Sequence, residues 1–284
     1  MTKYLIFSDI DNTLVQSYVR NNGEMIHSDG YGDIKKFIMM LKKNQIPLIL
    51  CSTKTRIEQE KIRKDLEIDD PYIVENGGAI IFSKSYFDLD FENLGLDTKE
   101  MNGNLGIVLG KSYEKIVEIL NDIRNNFQIR FKTVSDFSIE ELADKVGISI
   151  EDAKLMASRE YSETIIEIHE DNRIELERKL KDKNLMMVQG TRYFTVSAFH
   201  NKGSAVSILK NLFYKKCENE KVEVIAIGDA LNDVSMFENV DQAFLVRNIF
   251  KGYARMDISN LKRVKGIAQE GWKEVILNYV LERN

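Results

Sequence analysis

The sequence predicts an α/β protein whose core is a doubly wound parallel sheet, with an α+β cap domain inserted into it. Two observations lead to this prediction. Apolar runs at residues 4–7 and 222–227 are typical of buried strands, and each stops at an aspartate-rich turn. Between them, short strand-like and helix-like runs alternate in a different pattern. We therefore expect a core formed by residues 1–85 and 197–284, with the inserted domain at residues 86–196.

The first apolar run ends at two acids, Asp9 and Asp11. Because ligands of open α/β sheets collect at the carboxyl ends of the strands, carboxylates at that end indicate a polar site. Residues two apart in an extended segment point the same way, so both side chains can face one pocket. In a doubly wound sheet the second run ends beside the first. Asp229 and Asp233, which follow that run, would then converge on the same place.

Four carboxylates in a small volume repel one another unless protons or a cation neutralise them. Oxygen ligands with no His or Cys nearby favour Mg²⁺, so we expect Asp9, Asp11, Asp229 and Asp233 to form a magnesium site. With the metal in place, one carboxylate can attack phosphorus and form an aspartyl-phosphate, while a second protonates the leaving oxygen and later activates water. The alternative is a scattered set of N-caps and surface acids, which would not require the acids to follow apolar strands.

A phosphate site is predicted beside the acids. Residues 46–51 form a strand pattern that ends at Ser52 and Thr53, and a helix begins directly after them. Free backbone N–H groups and the helix dipole both favour an anion there, although a plain N-cap is the other interpretation. Lys202 opens a later helix, and together with Ser52 and Thr53 it would hold the phosphoryl oxygens.

The other elements follow from periodicity and turn residues. A hairpin is predicted around Asn76 and Gly77, with Glu75 beside the turn. The inserted domain is expected to hold strands at 106–109, 163–169, 185–188 and 193–196, and helices at 113–124, 139–146, 151–158 and 173–181. A strand at 243–246 and a helix at 266–281 complete the core.

The composition argues against a membrane-spanning protein and against a nucleic-acid-binding protein. The 284 residues include 43% hydrophobic and 30% charged residues, without an apolar run near the roughly 20 residues that span a membrane. A net charge of −5 and the lack of a basic block with interleaved aromatics argue against nucleic acid as a partner. The first residues do not resemble a signal peptide, and Cys51 and Cys217 stand far apart, so we expect a cytoplasmic protein. The oligomeric state stays open.

Four short strings carry a family resemblance. Asp9-Ile-Asp11-Asn-Thr13, Ser52, Lys202 and Gly228-Asp229-Ala-Leu-Asn232-Asp233 resemble, in order, the motifs of haloacid dehalogenase superfamily phosphatases, and the insertion resembles their C2B-type cap. The resemblance implies a Rossmann-like core with Asp9 as nucleophile and Asp11 as general acid/base. It also implies Mg²⁺ held by Asp9, the Asp11 backbone carbonyl and Asp229. Asn232 and Lys202 would orient the phosphoryl group, and Asp233 would support the metal waters or Lys202.

One residue departs from the superfamily pattern. Asn12 stands where the superfamily usually has Gly. Asparagine tolerates left-handed backbone angles, so we expect the loop to keep its shape.

Longer strings resemble the mannosyl-3-phosphoglycerate phosphatase branch over nearly the whole chain. They are Ser52-Thr-Lys-Thr-Arg56, Glu75-Asn-Gly77, Arg159-Glu-Tyr-Ser-Glu-Thr164, Gly190-Thr-Arg-Tyr-Phe-Thr195 and Asn201-Lys-Gly203. The resemblance implies a hexosyl-3-phosphoglycerate substrate and mannosylglycerate or glucosylglycerate as product, with the choice of sugar left open. The candidate substrate-binding residues are Lys54, Arg56, Glu75, Asn76, Gly77, Arg159, Ser162 and Arg192. Each one alone is equally compatible with a surface charge or a salt bridge.

Other functions are compatible with the sequence, and experiments can distinguish them from the first. A related sugar-phosphate phosphatase or a phosphomutase of the same superfamily would share this core and cap. A binding module that only senses a phosphorylated ligand is a third class, against which the intact Asp9, Asp11, Lys202 and Asp229 argue. We also expect the cap to open and close, with hinges near Ser85 and Ser197.

Overall fold

The computed structural model describes residues 3–16, 19–21, 24–26, 31–189, 192–217, 220–248 and 252–282. Gly190 and Thr191 of the branch-specific strings lie outside these residues. The strands are β1 (Lys3–Ser8), β2 (Val19–Asn21), β3 (Glu24–Ile26), β4 (Leu48–Cys51), β5 (Tyr72–Val74), β6 (Ala79–Ser83), β7 (Thr98–Met101), β8 (Asn104–Val108), β9 (Phe131–Thr133), β10 (Ser162–Ile168), β11 (Met186–Gln189), β12 (Phe194–Ser197), β13 (Val222–Gly228), β14 (Gln242–Arg247) and β15 (Leu261–Ile267).

The helices are α1 (Ile34–Lys43), α2 (Arg56–Leu66), α3 (Tyr113–Phe127), α4 (Ile139–Val146), α5 (Ile150–Ala157), α6 (Glu170–Asp182), α7 (Lys202–Lys216), α8 (Val234–Phe237) and α9 (Gln269–Val275). Short 3-10 turns form at Val134–Asp136 and Leu231–Asp233, and a π-helical turn, Ile276–Leu281, continues α9. Within the residues that the structure describes, no helix is long and apolar enough to cross a membrane.

The core is a nine-stranded sheet in the order β15-β14-β13-β1-β4-β5-β6-β8-β7. The strands from β15 to β5 are parallel, and β6, β8 and β7 continue the sheet in antiparallel pairs. Leu5, Ile6 and Phe7 of β1 are fully buried. Ile6 belongs to one hydrophobic cluster, whereas Leu5 and Phe7 belong to another, so both faces of the sheet are covered. The predicted doubly wound α/β core is confirmed.

The second sheet is antiparallel, in the order β11-β12-β10-β9. Ile165 of β10 packs in a cluster with residues of α3 and α6, whereas its neighbour Ile166 packs against a cluster built from α4 and α5. Consecutive side chains of a strand point to opposite faces, so helices cover both sides of this sheet. The predicted inserted α+β unit is confirmed.

One strand was assigned to the wrong sheet. The run at 106–109 was expected in the inserted domain, but β8 pairs with β6 in the core sheet, Ile107 opposite Ile80. Ile107 is buried in the core cluster that contains Ile80, which is why the hairpin joins this sheet. Ser85 therefore lies between two strands of the core sheet. The boundaries at 85/86 and 196/197 stay a prediction, and the pairing favours a first crossing at residues 109–112.

Candidate active site

The carboxyl ends of β1 and β13 lie side by side. The two strands pair in parallel, with Ser8 opposite Ile227, and the Asp9 N–H donates to the Ile227 carbonyl at 2.9 Å. Asp9 is only 6% exposed. One carboxylate oxygen each from Asp9, Asp229 and Asp233 lies within 4.8 Å of the others. The two predicted strand ends thus bring three acids into one buried cluster.

A buried lysine connects two of these acids. Lys202, the first residue of α7, has no solvent exposure, and its Nζ donates to Asp9 Oδ1 and to Asp233 Oδ1, both at 2.6 Å. Burial opposes the charge on the ammonium, but Asp233 and Asp9 outweigh it, so the pKa of Lys202 is raised above its usual value. The lysine stays charged and fixes the position of the Asp9 carboxylate.

Asp233 is occupied by protein donors on both oxygens. Oδ1 accepts from Lys202, and Oδ2 accepts from the backbone N–H groups of Asp229 and Ala230, each at 3.0 Å. A Cβ on Gly228 would stand 2.4 Å from Asp233 Oδ2, so a side chain at 228 would displace this carboxylate. Asp233 therefore shapes the turn after β13 and holds Lys202.

Asp229 differs from Asp233 in how many of its carboxylate oxygens accept hydrogen bonds. Its Oδ2 accepts from Asn248 Nδ2 at 2.6 Å, while its Oδ1 is buried and has no hydrogen-bond partner among the described residues. Burial raises the pKa of Asp229 well above its usual value, and the nearby Asp9 and Asp233 raise it further. A buried carboxylate oxygen without a partner is costly, and a cation removes that cost. The donor set consists of carboxylates, so it fits Mg²⁺.

Asp9 also needs a further positive charge nearby to stay ionised. Burial raises the pKa of Asp9 to about 7; Lys202 acts against this, while Asp233 and Asp11 add to it. A carboxylate that attacks phosphorus must be ionised. A second positive charge beside Lys202 would keep Asp9 ionised at neutral pH.

Asp11 lies outside the cluster of three acids and is only partly buried. The chain turns at Asn12, whose φ of 58° is left-handed, and the Asn12 N–H donates to the Val15 carbonyl at 2.7 Å. The expectation that asparagine supports this loop is confirmed. The Asp11 side chain is 30% exposed, and its Oδ2 lies 3.1 Å from Lys54 Nζ.

Ser52, Thr53 and Asn232 follow the strands that flank β1. Ser52 follows β4 and is fully buried, and its Oγ accepts from the Lys54 N–H at 3.3 Å. Thr55 is the N-cap of α2, so the helix begins at Arg56, slightly later than the sequence suggested. Asn232 lies in the turn after β13 and is half-buried. These residues therefore lie just beyond the carboxyl ends of the two strands that flank β1.

Glu75 joins the core to the inserted domain. This residue is fully buried with a φ of 46°, and its carboxylate accepts from the N–H groups of Glu160 and Tyr161 at 2.8 and 3.0 Å and from Ser162 Oγ at 2.6 Å. Burial raises the pKa of Glu75. Gly77, two residues further along the same turn, has a φ of 99°. A Cβ at Gly77 would stand 2.2 Å from the Asn201 carbonyl oxygen. The turn is thus packed between the inserted domain and the start of α7.

The remaining predicted cations are engaged by protein groups. Arg56 Nε donates to Glu160 Oε2 and its Nη1 donates to Glu60 Oε1, both at 3.0 Å. Arg159 Nη1 donates to Ser162 Oγ at 3.0 Å. Arg192 is exposed and donates from Nη1 to the Val146 carbonyl at 2.6 Å. The structure brings Arg56, Arg159 and Ser162 to the Glu75 junction and places Arg192 at the end of α4.

Sequence reasoning missed three residues of this region. Asn248 follows β14, the strand beside β13, so the rule that located the aspartates could have found it. Glu160 and His200 carried no comparable signal. His200 is 2% exposed, with Nε2 3.3 Å from the Glu75 carbonyl oxygen, and burial lowers its pKa.

Comparisons with known proteins agree with the resemblance. The chain is 31% identical over 284 residues to a glucosyl-3-phosphoglycerate/mannosyl-3-phosphoglycerate phosphatase of Methanococcoides burtonii, covering 99% of each chain. It is 36% identical over 245 residues to a mannosyl-3-phosphoglycerate phosphatase of Pyrococcus horikoshii, covering 86% of this chain and 91% of the relative. A crystal structure of a Thermoplasma acidophilum protein shares the fold, with a TM-score of 0.62 at 16% identity over 97% of both chains.

The family model described as haloacid dehalogenase-like hydrolase matches residues 6–251, which include both strand ends and the whole inserted unit. The chain therefore belongs to the haloacid dehalogenase-like hydrolase family.

Proposed function

We propose that this protein is a Mg²⁺-dependent phosphatase that converts mannosyl- or glucosyl-3-phosphoglycerate to the glycosylglycerate and phosphate. The observation that carries the proposal is the extent of the likeness: a relative named for these substrates matches over 99% of the chain, through the inserted unit as well as the core. The buried Asp9, Lys202 and Asp229 supply the chemistry. A cytoplasmic location stays a prediction.

The metal would be held by Asp9 and Asp229, with the Asp11 backbone carbonyl as the resemblance implies. Asp229 Oδ1, which has no hydrogen-bond partner in the described part of the chain, supports this assignment. When bound, Mg²⁺ neutralises the carboxylates and draws electron density from the phosphoryl oxygens. Asp233 is proposed to act indirectly, because protein donors occupy both of its oxygens.

In the first half-reaction the Asp9 carboxylate attacks phosphorus. The bond between phosphorus and the glycerate oxygen breaks, and Asp11 gives its proton to that oxygen, leaving an aspartyl-phosphate on Asp9. Lys202 holds the Asp9 carboxylate in place and contributes positive charge. Ser52, Thr53 and Asn232 donate to the phosphoryl oxygens from either side of β1.

In the second half-reaction Asp11, now ionised, takes a proton from water. The water oxygen attacks phosphorus, the bond to Asp9 breaks, and inorganic phosphate leaves. The residues at the core–cap junction, Arg56, Glu75, Asn76, Gly77, Arg159 and Ser162, together with Lys54 and Arg192, are proposed to position the glycerate and the sugar. Glu75 is proposed to do so indirectly, by fixing the groups of the inserted domain that donate to its carboxylate.

Phosphate release tests the proposal. With Mg²⁺, the purified protein should release phosphate from mannosyl- or glucosyl-3-phosphoglycerate much faster than from simple sugar phosphates. Comparable rates on both would remove the substrate assignment. An isomeric sugar phosphate in place of inorganic phosphate would indicate a phosphomutase. Asp9→Asn should abolish turnover and keep substrate binding, measured by calorimetry.

A further inference from the structure

Lys54 occupies a special position among the cations of the site. Its Nζ lies 3.1 Å from Asp11 Oδ2 and 3.6 Å from Glu58 Oε1. The Lys54 side chain is 21% exposed, so it is shielded from most of the solvent but not fully buried. Its backbone is fixed at both ends, because the Lys54 N–H donates to Ser52 Oγ and the Lys54 carbonyl accepts from the Glu75 N–H at 3.0 Å. The loop thus delivers one ammonium directly to Asp11.

The other cations have different partners. Lys202 lies between Asp9 and Asp233, and Arg56 makes a forked contact with Glu160. Arg159 and Arg192 donate to neutral oxygens of the inserted domain. Lys54, in contrast, contacts Asp11, the residue proposed to protonate the leaving oxygen.

The covalent structure of the proposed substrate suggests a role for the contact between Lys54 and Asp11. In a 3-phosphoglycerate ester the carboxylate is attached one carbon away from the carbon that bears the ester oxygen. A group that reaches this oxygen therefore also lies close to the carboxylate. An ammonium on a flexible four-carbon stem, already next to Asp11, can move to that carboxylate with a small rotation.

We infer that Lys54 is the specificity-determining residue that recognises the glycerate carboxylate, exchanging its contact with Asp11 for one with the substrate. This inference rests on the proposed function, since it names the part of that substrate which Lys54 binds. The inference predicts that the ligands are organic phosphates with a carboxylate on the carbon next to the one that bears the phosphate ester. A neutral hydroxymethyl group at that position would leave Lys54 on Asp11.

Two matched substrates test the inference. Glucosyl-3-phosphoglycerate and glucosylglycerol 3-phosphate differ only in a carboxylate against a hydroxymethyl group. Lys54→Met should lower kcat/KM for the carboxylate substrate about 10- to 100-fold more than for the alcohol, the range for a hydrogen bond to a charged group. Lys54→Arg, which keeps the charge, should retain most of the preference. Lys61→Met is the control, because Lys61 lies on α2 but pairs with Glu151 and Asp152 of α5.

A binding measurement separates recognition from turnover. Glucosylglycerate should inhibit Lys54→Met more weakly than the wild type by a similar factor, while inhibition by glucosylglycerol should not change. An equal loss on both substrates, or an unchanged preference, would overturn the role of Lys54 while leaving the phosphatase proposal intact. If the wild type released phosphate from neither of these substrates nor from mannosyl-3-phosphoglycerate, the proposed function itself would fail. Thermal melts show whether each variant is folded.

Discussion

The buried carboxylates at the ends of β1 and β13 differ from the buried carboxylate of Glu75, at the junction with the inserted domain, in how their oxygens are satisfied. At the strand ends, Asp9 and Asp233 share one ammonium, and Asp229 Oδ1 has no partner among the described residues. At the junction, Glu75 receives three donors between 2.6 and 3.0 Å. The first group is incomplete without a ligand, whereas the second is complete within the protein.

This difference separates acids that a ligand could complete from an acid that the protein already satisfies. An unsatisfied buried carboxylate raises the energy of the empty site, so it favours a bound cation. A carboxylate with a full set of donors gains nothing from a ligand and instead fixes the groups that donate to it. We therefore expect changes at the strand ends to affect both catalysis and metal-linked stability, and changes at Glu75 to act mainly on how the cap is held.

The largest effect is expected from Lys202→Met. The variant leaves Asp9 and Asp233 buried without their shared cation, so kcat should fall by about 10³-fold and the free energy of unfolding by about 3–5 kcal/mol. Phosphate release and urea unfolding measure the two effects. Lys210→Met on the same helix is the control, because Lys210 Nζ donates to a neutral group, the Asn239 carbonyl oxygen. Equal stability losses in both variants would contradict the bridging role.

The strand-end group could be found from the sequence because its signal is local. An apolar run followed by acids shows where a buried strand ends, and parallel strands bring such ends together. The Asp9 and Asp229 positions needed no long-range information beyond that. Asn248 also directly follows a buried strand, β14, but the predicted strand ended at residue 246, so the prediction did not include Asn248.

The junction could not be found in the same way. Glu75 binds backbone N–H groups more than eighty residues away, and a backbone donor leaves no mark in the sequence. The same limit explains the hairpin of β7 and β8, since a strand-like run does not show which sheet it joins. The closing helix was predicted from residue 266, whereas β15 extends to Ile267 and a positive φ at Ala268 precedes α9.

The next effect concerns Mg²⁺ and pH. Burial raises the pKa of Asp9 to about 7 and that of Asp229 well above its usual value. Between the ordinary carboxyl pKa and the raised values, the metal-free native state binds more protons than the unfolded state, so its stability falls as pH rises through that window. In the proposed site Mg²⁺ would bind the ionised carboxylates, so the stabilisation by Mg²⁺ should grow with pH.

Thermal unfolding with and without Mg²⁺ measures this linkage. At a concentration about 100 times the dissociation constant, the gain should be about 2.7 kcal/mol near pH 8 and smaller near pH 5. Asp229→Asn should remove most of the gain, because it removes a carboxylate with an available oxygen. A gain that is independent of pH would contradict the assignment of these acids to the metal.

A smaller effect is expected from Glu75→Gln. The amide keeps the shape of the side chain but turns an NH₂ group toward donors, so the free energy of unfolding should fall by about 1–3 kcal/mol. KM for the hexosyl substrate should rise, while turnover of a small aryl phosphate should change little. Glu163→Gln is the control, since Glu163 is also fully buried but accepts from Tyr113 and its own neighbour Thr164 within the inserted domain. An unchanged KM in Glu75→Gln would break the proposed contrast.

The smallest effect is expected from the ion pair that accompanies Glu75 across the junction. Arg56 and Glu160 are 11% and 31% exposed, and their contact is forked, so a double-mutant cycle with alanine should give a coupling energy of about 1 kcal/mol. Lys61 and Glu151 connect α2 to α5 nearby but are 46% and 75% exposed, so their coupling should be close to zero. Raising the ionic strength should weaken the first coupling only partly, because the guanidinium is shielded from solvent. Equal couplings for the two pairs would mean that burial at the junction adds nothing to the strength of the Arg56–Glu160 ion pair.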